Sequence, residues 1–255
     1  MGNFLTIDQG NTNAKVAVWT DAGDVIFTLV FDDLSMMKIE PVLSEFDVKR
    51  ASLAVSGRLN KEFFSQLQFR LDGRAVVISE MAESSFKIIT SYKGKLGIDR
   101  FMNYIGTVDL YPFIPSLIVD AGSALTIDVV DRDCCFRGGN ISPGYVMRLE
   151  VLNEKTNSLP LLPAGGHVRS FGINTKSAIR SGVIMGMVAE IADSFYRAKK
   201  TYKTSQIILT GGDVEYLLPH LESRGLPLVV EPLLVSRGIF ALNNPNKNSL
   251  ARIPV

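Results

Sequence analysis

One unit occurs twice in this sequence and constrains the fold more than any other feature: an apolar run ending in aspartate, a glycine two residues later, small polar residues, and a second apolar run. The first copy is "FLTIDQGNTNAKVAVW", Phe4 to Trp19. Phe4–Ile7 and Lys15–Trp19 alternate as strands do, with Asp8 closing the first. The Asp and Gly of "TDAGD" form a tight turn, and "VIFTLVF" (Val25–Phe31) follows as a third strand. The second copy begins at Leu117, "LIVDAGSALTIDVVDRDCCFRGGNI". A short apolar strand ends in Asp120, then come Gly122 and Ser123, a strand "ALTIDVV", a polar turn "DRD" and a third strand. A repeat of strand–DxG–strand–turn–strand at about one domain length predicts two similar α/β domains. "YPFIP" (Tyr111–Pro115) breaks helical continuation, which places the domains at 1–113 and 114–255.

The remaining segments supply helices and further strands. A helix is expected over Ser35–Glu45, a strand at "ASLAVSG", a helix at "NKEFFSQLQFRL" capped by Asn60, and a strand at "RAVVIS". In the second half "RGGNISPG" reads as a loop, Tyr145–Glu154 as a helix and "LPLLPAGGHVRSFG" as turn-rich chain. A long helix over Lys176–Lys200 carries Ile179, Val183, Met187, Ile191 and Phe195 at four-residue intervals, one buried stripe. Gly182 and Gly186 each cost that helix about 1 kcal/mol against alanine, which close approach of another helix would offset. "QIILTGGDVEYLLPHL" reads as strand, Gly-Gly turn and helix.

Composition narrows the function classes. At 255 residues and 46% apolar, the chain can bury a large core. Its 27 basic and 26 acidic residues suggest no polybasic surface for nucleic acid or membrane, though a locally charged cleft is compatible with that balance. Asp8 interrupts the first apolar run, and no run reaches the roughly 18 residues a spanning helix needs. A cytoplasmic protein is expected. The two cysteines, Cys134 and Cys135, are adjacent, a poor spacing for a disulfide. With two histidines, no CxxC and no HExxH, no zinc site is expected, and Cys134, Cys135, His167 and His220 receive no role.

A strand that ends in Asp before a Gly-containing turn sets backbone N–H groups beside a carboxylate. The N–H groups and hydroxyls can bind phosphate oxygens, and the carboxylate suits a phosphate only through a divalent cation. Asp8 therefore fits a direct or water-mediated Mg²⁺ partner, and Lys15 can offset charge built up in phosphoryl transfer. A plain hairpin turn is the alternative for either copy; their recurrence favours phosphate. "TGGD" (Thr210–Asp213) can admit adenine or ribose, or be a simple strand-to-helix turn. No Walker A or GxGxxG pattern is present. Asp99 and Arg100 in "KLGIDRFMNYIG" admit two readings. Asp99 can accept a hydroxyl proton while Arg100 grips a carboxylate or phosphate, or Asp99 can cap a helix with Arg100 in solvent. Thr175 has the same ambiguity, site residue or N-cap.

These pieces together resemble the type III pantothenate kinases, of the acetate and sugar kinase, Hsp70 and actin superfamily. The matching stretches are "DQGNTNAK" (8–15), "GIDR" (97–100), "DAGSALTID" (120–128), "GGNISPG" (138–144), "GINTKSAIRSG" (172–182) and "TGGD" (210–213), in the family's order over nearly the whole chain. The resemblance implies two ribonuclease H-like domains of the actin-like ATPase fold with an ATP cleft between them. It implies phosphorylation of the primary hydroxyl of pantothenate by ATP, the first step of coenzyme A synthesis.

By motif match, Asp8, Gln9, Gly10, Asn11, Thr12, Asn13, Ala14, Lys15 and Ser123 would bind ATP, with Asp8 close to Mg²⁺. Asp99 would be the general base. Tyr92, Gly97, Ile98, Asp99, Arg100 and Thr175 would contact pantothenate, Arg100 through its carboxylate. Asp120 would hold a monovalent cation, K⁺ or NH₄⁺. The family is a homodimer with the pantothenate pocket at the subunit interface, and "GGNISPG" and the Gly182/Gly186 helix are candidates for shaping that interface. Three positions depart from the family. Ser123 stands where Thr is usual and keeps the hydroxyl, Gln9 is polar where a small or apolar residue is usual, and Tyr92 lies closer to the GxDR motif than expected. A non-catalytic regulatory relative, or a sugar or small-acid kinase of the superfamily, is the alternative. Asp8, Lys15, Asp99, Arg100 and Asp120 together favour the enzyme, and "GIDR" with "GINTKSAIRSG" favours pantothenate.

Overall fold

The computed structural model of the chain describes residues 2–10, 12–78 and 92–243. Asn11 and residues 244–255 of the expected second domain lie outside the described residues. Contacts divide the chain into two units, one of residues 1–89, 93–112 and 233–255, the other of 90–92 and 113–232. The expectation of a single division at 113/114 thus misses one element. The helix Leu234–Asn243 groups with the first unit, because Phe240 stacks on Trp19 and Gly238 meets Met102 there.

The first unit holds strands β1 (Asn3–Gln9), β2 (Ala14–Trp19), β3 (Val25–Phe31), β4 (Val48–Val55) and β5 (Ala75–Ile78). They form one sheet in the order β3-β2-β1-β4-β5. β1, β2 and β3 are antiparallel neighbours, whereas β4 and β5 run parallel to β1. Alternation on β1 sends Leu5 and Ile7 into a core with helices α1 (Met36–Glu45) and α2 (Lys61–Arg70) through Ile39, Leu43, Phe63 and Leu67. Phe4 faces the other way, into a cluster with Ala17, Trp19 and Phe240. Asn60 caps α2 as expected, its side chain accepting the Phe63 N–H at 3.1 Å. Among the described residues two more helices belong to this unit, both largely buried: α3 (Ile98–Leu110) and the C-terminal helix.

The second unit repeats the plan. Its strands are β6 (Ser116–Ala121), β7 (Ala124–Val130), β8 (Phe136–Pro143), β9 (Gln206–Thr210) and β10 (Leu228–Val230), ordered β10-β9-β6-β7-β8. Renumbered from its own first strand and read from the β8 edge, that order is again 3-2-1-4-5, with the same parallel and antiparallel pairings. Helices α4 (Tyr145–Glu154), α5 (Thr175–Tyr202) and α6 (Val214–Glu222) pack on one face of it. The expected stripe of α5, Ile179 to Phe195, lies in this core. The C-terminal helix completes the series as α7 (Leu234–Asn243).

One local expectation needs correction, and one reading left open is decided. "RGGNISPG" is not a loop: residues 136–143 pair with β7 as strand β8, because the ladder satisfies their backbone groups. Its glycines are needed for that pairing. Gly138 has φ +96°, and a Cβ on Gly139 would run into the carbonyl of Ile127, beside a register shift between Asp128 and Val130. Thr175 does not cap α5. Asn174 does, accepting the Ser177 N–H at 2.9 Å while Ser177 answers the Asn174 N–H at 3.1 Å, a capping box. Cys134 and Cys135 are buried and unbridged in the β7–β8 turn, and burial pushes both thiols up, away from nucleophilic use.

Candidate active site

The first loop is set by register. In the β1–β2 ladder Asp8 pairs with Lys15 and Gln9 with Ala14, which puts the carboxylate and the ammonium stem on one face of the hairpin. The Gly10 N–H donates to the Asn13 carbonyl at 3.0 Å and closes the turn. Thr12 and Asn13 are exposed, so the tip of the turn is open to a ligand. Gln9 has a structural role the sequence did not disclose. Its side-chain amide donates to the Arg58 carbonyl at 3.1 Å and its own carbonyl accepts the Ser56 N–H at 3.0 Å. These bonds tie the root of the β1–β2 turn to the segment that leaves β4.

The second loop occupies the same place in its sheet. Asp120 pairs with Thr126, the Gly122 N–H donates to the Ala124 carbonyl at 3.1 Å, and Ser123 is exposed at the tip. Glycines surround Asp120. Gly211, at φ +100°, brings its Cα so close that a Cβ there would lie 2.6 Å from the Asp120 Oδ1, and one on Gly122 would lie 3.5 Å from it. The "TGGD" turn is stitched to the end of β6 by the Asp213 N–H, which donates to the Ala121 carbonyl at 2.8 Å.

Asp213 is the acidic group that sequence reasoning passed over. Burial pushes its carboxyl up to about 6; the nearby carboxylates of Glu215 and Asp120 add to the shift, and the Tyr145 N–H, donating to it, opposes. The only signal in the sequence was its position at the end of a strand–GG turn.

Asp99 and Arg100 begin α3. The N-cap is Gly97, not Asp99, so the capping alternative for Asp99 fails. Asp99 lies in the first turn, where the helix N-terminus favours a carboxylate, and its Oδ1 accepts the Arg100 N–H at 2.8 Å. Arg100 is only 4% exposed, so it is not the solvated arginine of the alternative reading. A guanidinium buried to that extent is held by partners. Gly97 lies close to this carboxylate: a Cβ on it would be 2.7 Å from the Asp99 Oδ1, so a larger residue there would make the Asp99 side chain shift.

Thr175 belongs to the second unit, as the first helical residue of α5, with its hydroxyl spared from capping by Asn174. It opens on a cavity of about 960 Å³ lined by Arg148, Val151, Leu152, Ile173 and Val183 among others. Tyr92 lies against β8, edge-on to Phe136 with ring centroids 6.0 Å apart. The described residues therefore form four local groups: the Asp8–Lys15 hairpin, the start of α3, the Asp120 loop with the "TGGD" turn, and Thr175 on its cavity.

Two mixed sheets of identical 3-2-1-4-5 order, each with an Asp-Gly loop between its first two strands, define the class: an α/β protein of two actin-like, ribonuclease H-like domains. Solved structures agree at the level of fold. A Campylobacter jejuni protein classed with the Baf family of transcriptional activators superposes with a TM-score of 0.63 at 24% identity, over 96% of this chain and 99% of that one. The activator of 2-hydroxyisocaproyl-CoA dehydratase from Clostridium difficile, with bound ADPNP, gives 0.51 at 11% identity over 99% and 98%. Sequence relatives narrow the family. Residues 4–197 match the profile of the type III pantothenate kinases. The type III pantothenate kinase of Phocaeicola vulgatus is 35% identical over 82% of this chain and 86% of its own length. That of Bacteroides fragilis YCH46 is 32% identical over 96% and 99%. The chain belongs to the type III pantothenate kinase family.

Proposed function

We infer that this chain transfers the γ-phosphoryl group of ATP to the primary hydroxyl of pantothenate, the opening step of coenzyme A synthesis, with Asp99 as the base. Family membership over residues 4–197 carries the reaction. The burial of Arg100 and the first-turn position of Asp99 carry the assignment of the base. The hydroxyl oxygen attacks the γ-phosphorus as its proton passes to the Asp99 carboxylate, and the bond to the β-bridging oxygen breaks to release ADP. Gly97, Ile98 and Arg100 hold pantothenate beside that carboxylate, Arg100 through paired hydrogen bonds to the substrate's own carboxylate. Thr175 and Tyr92 complete the pantothenate contacts.

The hairpin residues Asp8 to Lys15 and Ser123 receive the ATP phosphates. Asp8 fits Mg²⁺ by donor chemistry, a hard oxygen ligand opposite Lys15 at a turn open to solvent. Bound there, Mg²⁺ would neutralise charge at the phosphates. Asp120 fits a monovalent cation: its carboxylate sits in a cradle that a Cβ at position 211 would fill, beside a second acidic group at Asp213. We assign the protein to the cytoplasm, where ATP is available; no helix among the described residues is long and apolar enough to cross a membrane.

The active species is a homodimer in this reading. Gly182 and Gly186 are exposed on α5 with nothing within 4 Å of a Cβ at either, an approach path for a second helix. Ile141, Met147, Val151 and Ile173 are also exposed, on β8, α4 and the approach to α5. The test is ADP release from purified protein with ATP and pantothenate, with and without K⁺ or NH₄⁺. Turnover that requires pantothenate and rises with the cation is expected. A folded protein that stays silent with both substrates and both cations overturns the reading.

A further inference from the structure

We propose that Gly238, on the C-terminal helix α7, is a positioning residue for Asp99 and Arg100. The inference rests on the assignment of those two residues to the catalytic machinery. It begins from a helix crossing closer than side chains permit. A Cβ built on Gly238 would penetrate the Met102 carbonyl and come within 3.0 Å of the Met102 Cα. One turn along, a Cβ on Gly106 would lie 2.5 Å from the Leu234 carbonyl and 3.2 Å from the Gly238 nitrogen. Positions 102 and 106 of α3 thus meet 234 and 238 of α7, backbone against backbone, one helical turn apart on each helix. Two glycines in helix interiors cost roughly 1 kcal/mol each against alanine, so their presence answers a demand for contact.

That contact falls where it matters for chemistry. Met102 is three residues beyond Asp99, one turn along the same helix. A displacement of its peptide moves the turn that carries Asp99 and Arg100. α7 in turn has little freedom to yield. Phe240 stacks on Trp19 of β2 with centroids 4.8 Å apart and lies 5.8 Å from the ring of Phe4 on β1. Arg237 Nε donates to Asp109 Oδ2 at 2.5 Å, near the other end of α3, and its guanidinium lies 5.8 Å from the Trp19 ring centre. Asp109 is nearly enclosed, its side chain 3% exposed. The sheet therefore fixes α7, and α7 fixes α3 at two points, Met102 and Asp109. A base must sit within hydrogen-bond reach of the hydroxyl it deprotonates, and a misplacement of about 1 Å can cost on the order of 10²-fold in rate.

The test is a double-mutant cycle in the full-length enzyme. Gly238→Ala is expected to lower kcat at least tenfold while the KM for ATP stays within twofold. Combined with Asp99→Asn it should add little to the loss from Asp99→Asn alone, because it acts through that group. Leu67→Ala, a core truncation on α2, serves as the stability control: a similar loss of melting temperature with kcat nearly unchanged. If Gly238→Ala does not fold, Arg237→Gln releases the second fixed point and is read in the same cycle. Full additivity with Asp99→Asn, or a kcat no lower than that of the Leu67→Ala control, overturns the proposal. Failure of the base assignment is separable, since it appears as near-normal kcat in Asp99→Asn by itself.

Discussion

Asp8 and Lys15 face each other directly across the β1–β2 ladder. Opposed residues of an antiparallel pair share a face, with Cβ atoms about 5 Å apart. The hairpin thus carries one carboxylate and one ammonium at the root of a glycine turn, a pairing suited to a metal-bound phosphate chain.

Lys15→Met should lower kcat roughly 10²-fold, the scale seen when one preorganised donor to developing charge is removed. Lys15 is only partly buried at the end of its strand, so the fold should tolerate the change. Steady-state ADP release with a parallel thermal melt checks both halves. An unchanged kcat would remove Lys15 from the transition state.

Asp99→Asn should cost about 10²–10⁴ in kcat, the usual worth of a general base. The amide keeps the acceptor for the Arg100 N–H, so the start of α3 should persist. Pantothenate affinity, measured by calorimetry, should change only a few fold. Loss of binding in step with rate would make Asp99 a binding group instead.

Asp213 gives a pH prediction. Its folded-state pKa is raised to about 6 from 3.8, so between those values the native state holds more protons than the unfolded chain. Stability then falls as pH rises through that window, and the cost is complete above pH 6. Asp213→Asn should stabilise the protein by roughly 2 kcal/mol at pH 8, after allowance for partial solvent exposure, and the gain should shrink as pH drops below 6. Melting curves of both proteins across pH 5 to 8 test this. A gain independent of pH contradicts it.

Asn174 and Thr175 should separate cleanly despite being neighbours. Asn174→Ala breaks the capping box of α5 and should cost about 1 kcal/mol of stability. Thr175→Ala leaves the cap intact, so it should leave the melting temperature in place and raise the KM for pantothenate. Melting curves and pantothenate titrations of the two variants decide; a reversed pattern would return Thr175 to a purely structural role.

Much of this was legible in the chain. The 3.6-residue stripe of α5, the Asn60 cap and the two strand–DxG–strand units are local features, each expressed within a single short stretch of chain. "RGGNISPG" misled because glycine and proline mark loops in isolation; only the β7 ladder, contributed by residues 11 to 19 positions earlier, makes the segment a strand. Asp99 and Thr175 stayed open between site residue and N-cap, since Asp and Thr both favour capping positions; the caps prove to be Gly97 and Asn174, a choice that depends on what each side chain meets after folding.

By itself the sequence determined the repeated α/β plan, the two Asp-Gly loops and, through its ordered motifs, the family and its substrate. These follow from period, turn chemistry and residue identity, which survive without long-range contacts. Tertiary structure decided what depends on distant neighbours. It returned the C-terminal helix to the first unit through Phe240 and Gly238, buried Arg100, and gave Gln9 its tie to Arg58. It also raised the carboxyl of Asp213 by desolvation. Burial and close backbone approach are properties of packing between segments far apart in the chain, and no local pattern of residues encodes them.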